Sequence, residues 1–124
     1  MLFRRLHCAL YNAHVLYYAG YPQKDFIEHL SKKYNIDIED DYSDCLGVTM
    51  QANTNERTYY ILWVKHLDDT QTLVHETLHL IYKILDDRGI VLGNNNNETV
   101  AYYLSFWFQK LYTLMLKEEK NVHT

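Results

Sequence analysis

Apolar positions along this chain change several times between strand-like and helix-like spacing. Runs of aromatic and β-branched residues predict strands, and apolar residues three or four apart predict amphipathic helices. Residues 2–10 fit a helix as well as a strand. The remaining pattern predicts a strand at 11–18, a helix at 22–35, strands at 46–52 and 58–64, and helices at 70–88 and 97–117. This order predicts an α+β domain over residues 1–117 and a polar tail at 118–124.

The predicted helix at 70–88 is apolar on two sides. One stripe contains Val74, Leu78, Ile81 and Leu85, and a second contains Leu73, Leu80 and Ile84. A helix with apolar stripes on both sides is expected to be buried. Asp69 and Thr70 are suited to begin it, and Gly89 is suited to end it.

The segment His75-Glu76-Thr77-Leu78-His79 within this helix is a candidate metal site. Residues four apart lie on one helix face, so the two imidazoles can bind one zinc ion. Glu76 lies beside them and can act as a general base toward a metal-bound water. Burying all three side chains would be costly unless they are paired or bound to metal. We therefore predict His75 and His79 as zinc ligands and Glu76 as the catalytic residue.

A third ligand is needed, because catalytic zinc normally has three protein ligands and a water. The extended HExxHxxGxxH pattern does not fit, since Tyr82 replaces its glycine and Leu85 its third histidine. Glu98 opens the last predicted helix, and a short connection should make the two helices antiparallel neighbours. Glu98 is therefore the predicted third ligand. The alternative is an ordinary acidic residue favoured at that position by the helix dipole.

With HExxH followed by Glu98, the chain resembles a small single-domain zinc metallopeptidase of the gluzincin type, as found in bacteria and their phages. The match covers about residues 59–111. The resemblance implies a minimal zincin-like fold, in which a small antiparallel or mixed sheet packs on the active-site helix and the helix that follows it. It also implies Zn²⁺ bound by His75, His79 and Glu98, catalysis by Glu76, and a protein or peptide substrate.

The resemblance carries further expectations about substrate and supporting residues. Zincins present an edge strand beside the active-site helix, and the strand predicted at 58–64 is the candidate for pairing with an extended peptide. Thermolysin-like members have an aspartate where this chain has Tyr102, so backbone carbonyls or Asp86 would have to orient the histidines. Tyr102 and Tyr103 are candidates to stabilise an oxyanion, although ordinary packing is the favoured interpretation.

Composition narrows the classes of function. The net charge is −4 and no run of lysine and arginine is present, so nucleic acid is not an expected partner. No apolar segment approaches the roughly 18 residues of a membrane span, and polar residues interrupt the one candidate signal sequence. Cys8 and Cys45 are expected to be reduced thiols. We therefore expect a cytoplasmic protein without a membrane partner, and a homo-oligomer is left open.

Three functions compete at the level of sequence. A zinc metallopeptidase is favoured by the motif and the order of the helices. A zinc-stabilised, non-catalytic interaction or regulatory protein with a zincin-like fold is the alternative, because a chain of this size has little room for a deep substrate cleft. A metal-free domain with a chance motif is the third. Zinc content distinguishes the third function from the other two, and a Glu76→Gln variant distinguishes those two from each other.

Overall fold

A single mixed sheet of four strands forms the centre of the protein, in a computed structural model that describes residues 1–91, 93 and 95–123. The strands are β1 (Leu2–Cys8), β2 (Ala13–Ala19), β3 (Gly47–Asn53) and β4 (Thr58–Val64). Their spatial order is β1-β2-β4-β3. β1 and β2 are antiparallel, β2 and β4 are parallel, and β3 and β4 are antiparallel.

Within the same residues, three helices cover the two faces of this sheet. They are α1 (Gln23–Tyr34), α2 (Thr70–Asp87) and α3 (Asn97–His123). α1 packs on one face, while α2 and α3 pack on the other. The predicted α+β class is confirmed.

The central strands β2 and β4 are buried on both faces, because helices lie above and below them. Alternate residues therefore face opposite layers of the fold. The side chains facing α2 and α3 include Val15, Tyr17, Tyr60 and Leu62. Those facing α1 include Leu16, Tyr18, Ile61 and Trp63. The continuous apolar runs in these strands thus reflect two-sided burial rather than one-sided alternation.

Each helix reaches the sheet through its own apolar stripe. In α1, Phe26 and Leu30 are buried, and the Phe26 ring stacks on Trp63 with their centroids 5.2 Å apart. In α3, Trp107 and Leu111 are buried, and the Tyr17 hydroxyl donates a hydrogen bond of 3.0 Å to the carbonyl of Leu111. This bond ties the second half of α3 to a central strand.

The predicted α1, α2 and β3–β4 hairpin are confirmed to within a few residues. Residues 2–8, for which helix and strand were both left open, form the strand β1, which pairs with β2 along its whole length. Two expectations need correction. α3 does not end at 117 but continues to His123, so residues 118–123 are helical rather than a separate tail. Finally, β4 is not an edge strand, because β2 and β3 flank it on both sides.

The connection between α2 and α3 was predicted as a loop at 90–96. Leu92 and Asn94 lie outside the described residues. In the part that is described, the Asn96 side chain accepts a hydrogen bond of 2.9 Å from the Gly93 amide and donates to the Val91 carbonyl. Asn96 therefore holds the loop together. Across the described residues, no helix is both long and apolar enough to cross a membrane.

Candidate metal centre

The HExxH segment lies in the second and third turns of α2, whose start is fixed by a side-chain cap. The Asp69 carboxylate accepts a hydrogen bond of 3.0 Å from the Thr72 amide, which satisfies one of the free N–H groups of the first turn. The helix ends before Gly89, whose φ of +75° lies in the left-handed region that suits glycine. The two predicted end signals therefore hold.

His75 and His79 lie side by side on the outer face of α2. Their Nε2 atoms are 3.2 Å apart and their ring centroids 4.7 Å apart. Two nitrogens bound to one tetrahedral zinc at about 2.0–2.1 Å are separated by roughly 3.3 Å. The two imidazoles thus already present their Nε2 atoms at the spacing of a chelating pair. In the described part of the chain, each imidazole has the other as its only hydrogen-bond partner.

The Glu76 side chain points inward from α2, toward the sheet. It is only 7 % exposed, and its Oε1 accepts a hydrogen bond of 2.7 Å from the hydroxyl of Thr49 on β3. The same hydroxyl lies 3.0 Å from the Glu76 carbonyl oxygen. The other carboxylate oxygen, Oε2, is 4.0 Å from His75 Nε2. Thr49 therefore fixes one oxygen of Glu76 and leaves the other beside the histidine pair.

Gly47 permits this close approach of α2 to the sheet. A Cβ atom at position 47 would lie 2.7 Å from Thr72 Cγ2, 2.8 Å from the Trp63 carbonyl oxygen and 3.2 Å from Glu76 Cγ. Contacts this short require something to shift. Glu76 can therefore occupy its position only because residue 47, the first of β3, is a glycine. Sequence reasoning missed both Gly47 and Thr49, because only the packing of β3 on α2 connects them to the motif.

The prediction that α2 is buried on two sides is wrong. Leu73, Leu80 and Ile84 are fully buried, but Val74 and Leu78 are 47 % and 37 % exposed. The sheet and α3 cover only part of the helix circumference, so half of one predicted stripe faces solvent. His75 and His79 share this exposed face, and the expected cost of burying them does not arise. Their paired geometry, and not burial, is what favours metal binding.

Glu98 lies on the first turn of α3, as predicted, and it is exposed. Over residues 1–91, 93 and 95–123, no group of three or more histidine, cysteine, aspartate or glutamate side chains is close enough to hold a metal ion. The structure thus brings together His75 and His79 with Glu76 beside them, and it does not bring Glu98 to the same point. The donor set fits zinc in two of its three predicted positions.

The supporting residues considered from sequence do not contact the histidines. Asp86 is exposed and forms no side-chain hydrogen bond in the described part of the chain, and Tyr102 is 75 % exposed on α3. Tyr103 is buried, its hydroxyl donates a bond of 3.3 Å to the Leu10 carbonyl, and burial raises its pKa. Tyr103 is therefore a packing residue away from the motif, which agrees with the favoured interpretation.

An open cavity of about 430 Å³ begins at His79. It is lined by one side of α2 and by the start of the following loop, including Tyr82, Lys83, Ile90 and Val91. The cavity lies next to the histidine pair rather than around it. Both imidazoles are exposed, so the pair is accessible from solvent.

Comparison with known proteins does not place the chain in a family. No protein-family model matches the sequence, and no curated protein or solved structure matches it significantly.

Proposed function

We propose that this protein is a zinc-dependent metallopeptidase that hydrolyses peptide bonds on the outer face of α2, within a zincin-like α+β fold. One observation supports the proposal above the others. The Nε2 atoms of His75 and His79 are 3.2 Å apart, and a carboxylate held by the sheet lies 4.0 Å from the first of them. A chance HExxH segment would place its histidines on one helix face, but it would not require a strand to orient the glutamate.

The proposed chemistry assigns a separate role to each side chain. His75 and His79 bind the zinc ion through Nε2. Zinc, when bound, would polarise the scissile carbonyl and make a water molecule more acidic. Glu76 accepts the proton of the attacking water through Oε2 and passes it to the leaving amine. Thr49 donates to Oε1, so the carboxylate presents a fixed orientation and retains one free oxygen.

The third proposed ligand is Glu98, which does not lie at the histidine pair in the structure and would have to move to it when metal binds. Its carboxylate is exposed and forms no hydrogen bond or ion pair in the described part of the chain, so no existing contact competes with a metal. The helix that carries it packs against α2. Substitution of Glu98 tests this assignment independently of the two histidines.

The substrate is proposed to bind as an extended peptide along β3. Among the described residues β3 pairs only with β4, so the backbone groups of its outer edge are free to pair with another chain. Thr49, which holds Glu76, is in the same strand. A peptide added at this edge would therefore run beside the carboxylate that handles the proton. The sequence had suggested β4 for this role, and the sheet order transfers it to β3.

A zinc-stabilised interaction or regulatory protein is the second candidate. Two observations favour it: the histidine pair lies on an exposed helix face rather than in a cleft, and the described residues form no three-ligand group. A site of this kind could still bind metal and stabilise a binding surface without turnover.

Zinc content and peptide hydrolysis test both candidates together. The protein is loaded with zinc, gel-filtered and assayed for bound metal by mass spectrometry, beside His79→Ala, Glu98→Ala and Glu76→Gln. We expect about one zinc in the parent and in Glu76→Gln, and loss of zinc in the other two variants. With a library of quenched fluorescent peptides, Glu76→Gln should lower the rate by about 10²–10⁴-fold, the range for a lost general base.

Matched substitutions control for general effects. His66→Ala removes another exposed histidine, and Glu39→Ala removes another exposed carboxylate. Neither should change zinc content or rate. Zinc loss in His79→Ala alone would remove Glu98 from the ligand set. Full zinc with no difference between parent and Glu76→Gln would favour the non-catalytic candidate, and no zinc in the reconstituted parent would overturn both.

A further inference from the structure

Basic side chains from four separate parts of the chain meet on the α1 face of the sheet, opposite the metal centre. This basic cluster consists of Arg5, His7, His14, Lys33 and Arg57. His7 and His14 are paired across β1 and β2, and their rings stack with centroids 4.3 Å apart. Arg57 Nη1 donates a hydrogen bond of 2.8 Å to His14 Nε2. The sequence contains no run of lysine and arginine that predicts this cluster, because its residues come together only in the folded chain.

The three permanent charges of the basic cluster are not neutralised. Among the described residues, no ion pair joins Arg5, Lys33 or Arg57 to a carboxylate. The chain as a whole has a net charge of −4, with 16 acidic against 12 basic residues. Uncompensated cations on one surface raise the local concentration of anions.

Aromatic rings hold two of these cations in place. The Arg5 guanidinium lies 5.4 Å from the centroid of the Tyr59 ring, and Lys33 Nζ lies 5.8 Å from that of Tyr34. The two tyrosine rings pack edge to face with centroids 5.3 Å apart. Cation–π contacts orient a charged group without cancelling its charge. Arg5 and Lys33 are thus positioned on neighbouring rings and still able to bind an anion.

A cavity of about 760 Å³ opens beside these rings, between the end of α1 and the β3–β4 turn. Its size lies within the range of small-molecule sites. Arg5, Lys33 and Tyr34 line it.

Two carboxylates also line the cavity, and a ligand would need hydrogen-bond donors to bind them. Asp37 accepts a hydrogen bond of 2.7 Å from the Ser31 hydroxyl, so one of its oxygens is occupied. Glu56 is exposed in the turn. Ile36 and Ala52 add apolar wall. An anion with a compact organic part that carries hydroxyl or amino groups would use all of these features, whereas a bare anion would use only the cations.

We propose that this cavity binds a small phosphomonoester, whose phosphate is held by Arg5 and Lys33. A phosphate dianion can pair with both Arg5 and Lys33, and the lining carboxylates Asp37 and Glu56 are left for hydroxyl or amino groups of the organic part. Arginine and lysine are both established binders of phosphate oxygens. The site lies on the face of the sheet opposite α2, so it does not depend on the proposed peptidase activity.

Calorimetric titration of the full chain with adenosine 5′-monophosphate, inorganic phosphate and adenosine tests the proposal in metal-free buffer. We expect the monophosphate to bind more tightly than phosphate and adenosine not to bind. Arg5→Gln and Lys33→Gln should each weaken binding of the monophosphate at least about tenfold, as expected for loss of a charge-assisted contact. Arg5→Lys should retain part of the affinity, because it keeps the charge.

Two neighbouring cations provide controls. Arg4 precedes Arg5 on β1, so its side chain starts on the other face of the sheet. Lys32 forms an ion pair of 2.6 Å with Glu28. Arg4→Gln and Lys32→Gln should bind like the parent. If binding of the monophosphate weakened equally in the control and test variants, net charge alone would explain the effect, and the proposed site would be overturned. No binding of the monophosphate at millimolar concentration to a folded parent, verified by circular dichroism, would also overturn it.

Discussion

The two faces of the sheet carry polar groups in different ways. On one face, α2 and α3 span 18 and 27 residues and cover the strands, so most polar side chains lie on the outer side of the helices, and among the described residues Glu76 and Thr77 are the buried polar ones. On the other face, α1 spans 12 residues and leaves one end of the sheet uncovered. The basic cluster occupies that uncovered end. A site on the first face depends on how closely α2 packs on β3. A site on the second face depends on where α1 ends and leaves the sheet open.

This contrast has an energetic side. A carboxylate that is nearly buried must be hydrogen-bonded, because an unpaired buried charge is strongly destabilising. Thr49 supplies that bond, so the position of Glu76 is coupled to the stability of the whole fold. Arg5 and Arg57 remain exposed, so holding them in place costs little free energy. They also contribute little to the stability of the fold. Substitutions should therefore change stability on the α2 face and ligand binding on the α1 face.

The largest expected effect comes from adding a single carbon atom on the α2 face. Gly47→Ala places a Cβ 2.8 Å from the carbonyl oxygen of Trp63 and 2.7 Å from a methyl group of Thr72. Relief requires β3 and α2 to move apart, and overpacking of this kind costs about 1–3 kcal/mol. Urea unfolding measures that loss. Peptide hydrolysis should fall as well, because the same movement displaces Glu76, while zinc content should not change.

Gly93→Ala is the matched control, since a Cβ at position 93 meets no atom within 4 Å. Its free energy of unfolding should stay within about 0.5 kcal/mol of the parent. If both variants unfold at the same urea concentration as the parent, then close packing of β3 on α2 does not hold Glu76 in place.

A smaller effect is expected when the hydroxyl that orients Glu76 is removed. Thr49→Val keeps the shape of the side chain and deletes the hydrogen bond of 2.7 Å to the carboxylate. The carboxylate then lacks its only hydrogen-bond donor among the described side chains, and we expect a loss of about 1 kcal/mol in the free energy of unfolding. In the same variant, zinc content should be unchanged, because the histidines do not contact Thr49.

Thr58→Val serves as the comparison for that experiment. Its hydroxyl donates a bond of 2.7 Å to Asn53 in an exposed part of the hairpin, so the substitution should cost much less. A peptide hydrolysis rate that falls in Thr49→Val and not in Thr58→Val would connect the strand to catalysis. Equal rates in all three proteins would remove Thr49 from the site.

Much of the fold follows from local patterns in the sequence. The start of α2 was predictable because Asp69 has the capping chemistry that a helix start requires, and its end because Gly89 accepts a positive φ. β4 was predictable because its aromatic and β-branched run has no helical spacing. β1 was ambiguous because Arg4, Arg5 and His7 interrupt its apolar residues, and only pairing with β2 settles its conformation.

The candidate site was predictable only where residues are close in sequence. The i, i+4 spacing places His75 beside His79 in any α-helix, so their contact follows from helix geometry. The exposed side of α2 was not predictable, since two apolar stripes are compatible with burial or with a partly open face. The partners of Glu76 depend on the order of strands in the sheet. The continuous apolar run of β4, compared with the mixed pattern of β3, indicates which strand is central, but it does not show which residue of β3 meets Glu76.

The smallest effect is expected on the α1 face, where His14 should make stability depend on pH. Burial, followed by the charges of Arg57, His7 and Arg5, lowers the pKa of His14 below its ordinary value of 6.5. Below about pH 6.5 the unfolded chain therefore binds a proton at His14 that the folded chain does not bind until a lower pH. Stability linked to this group is present at neutral pH and decreases as the pH falls through that range.

His14→Gln removes this dependence while keeping an acceptor for Arg57. Urea midpoints measured from pH 8 to pH 5 should decline less steeply in His14→Gln than in the parent. His29, whose pKa is lowered by burial and then by Lys33, should continue to contribute in both proteins. Identical slopes would show that the stacked imidazoles and Arg57 do not disfavour a charge on His14. A phosphomonoester bound in the neighbouring cavity should reduce the parent's slope, because its negative charge offsets the surrounding cations.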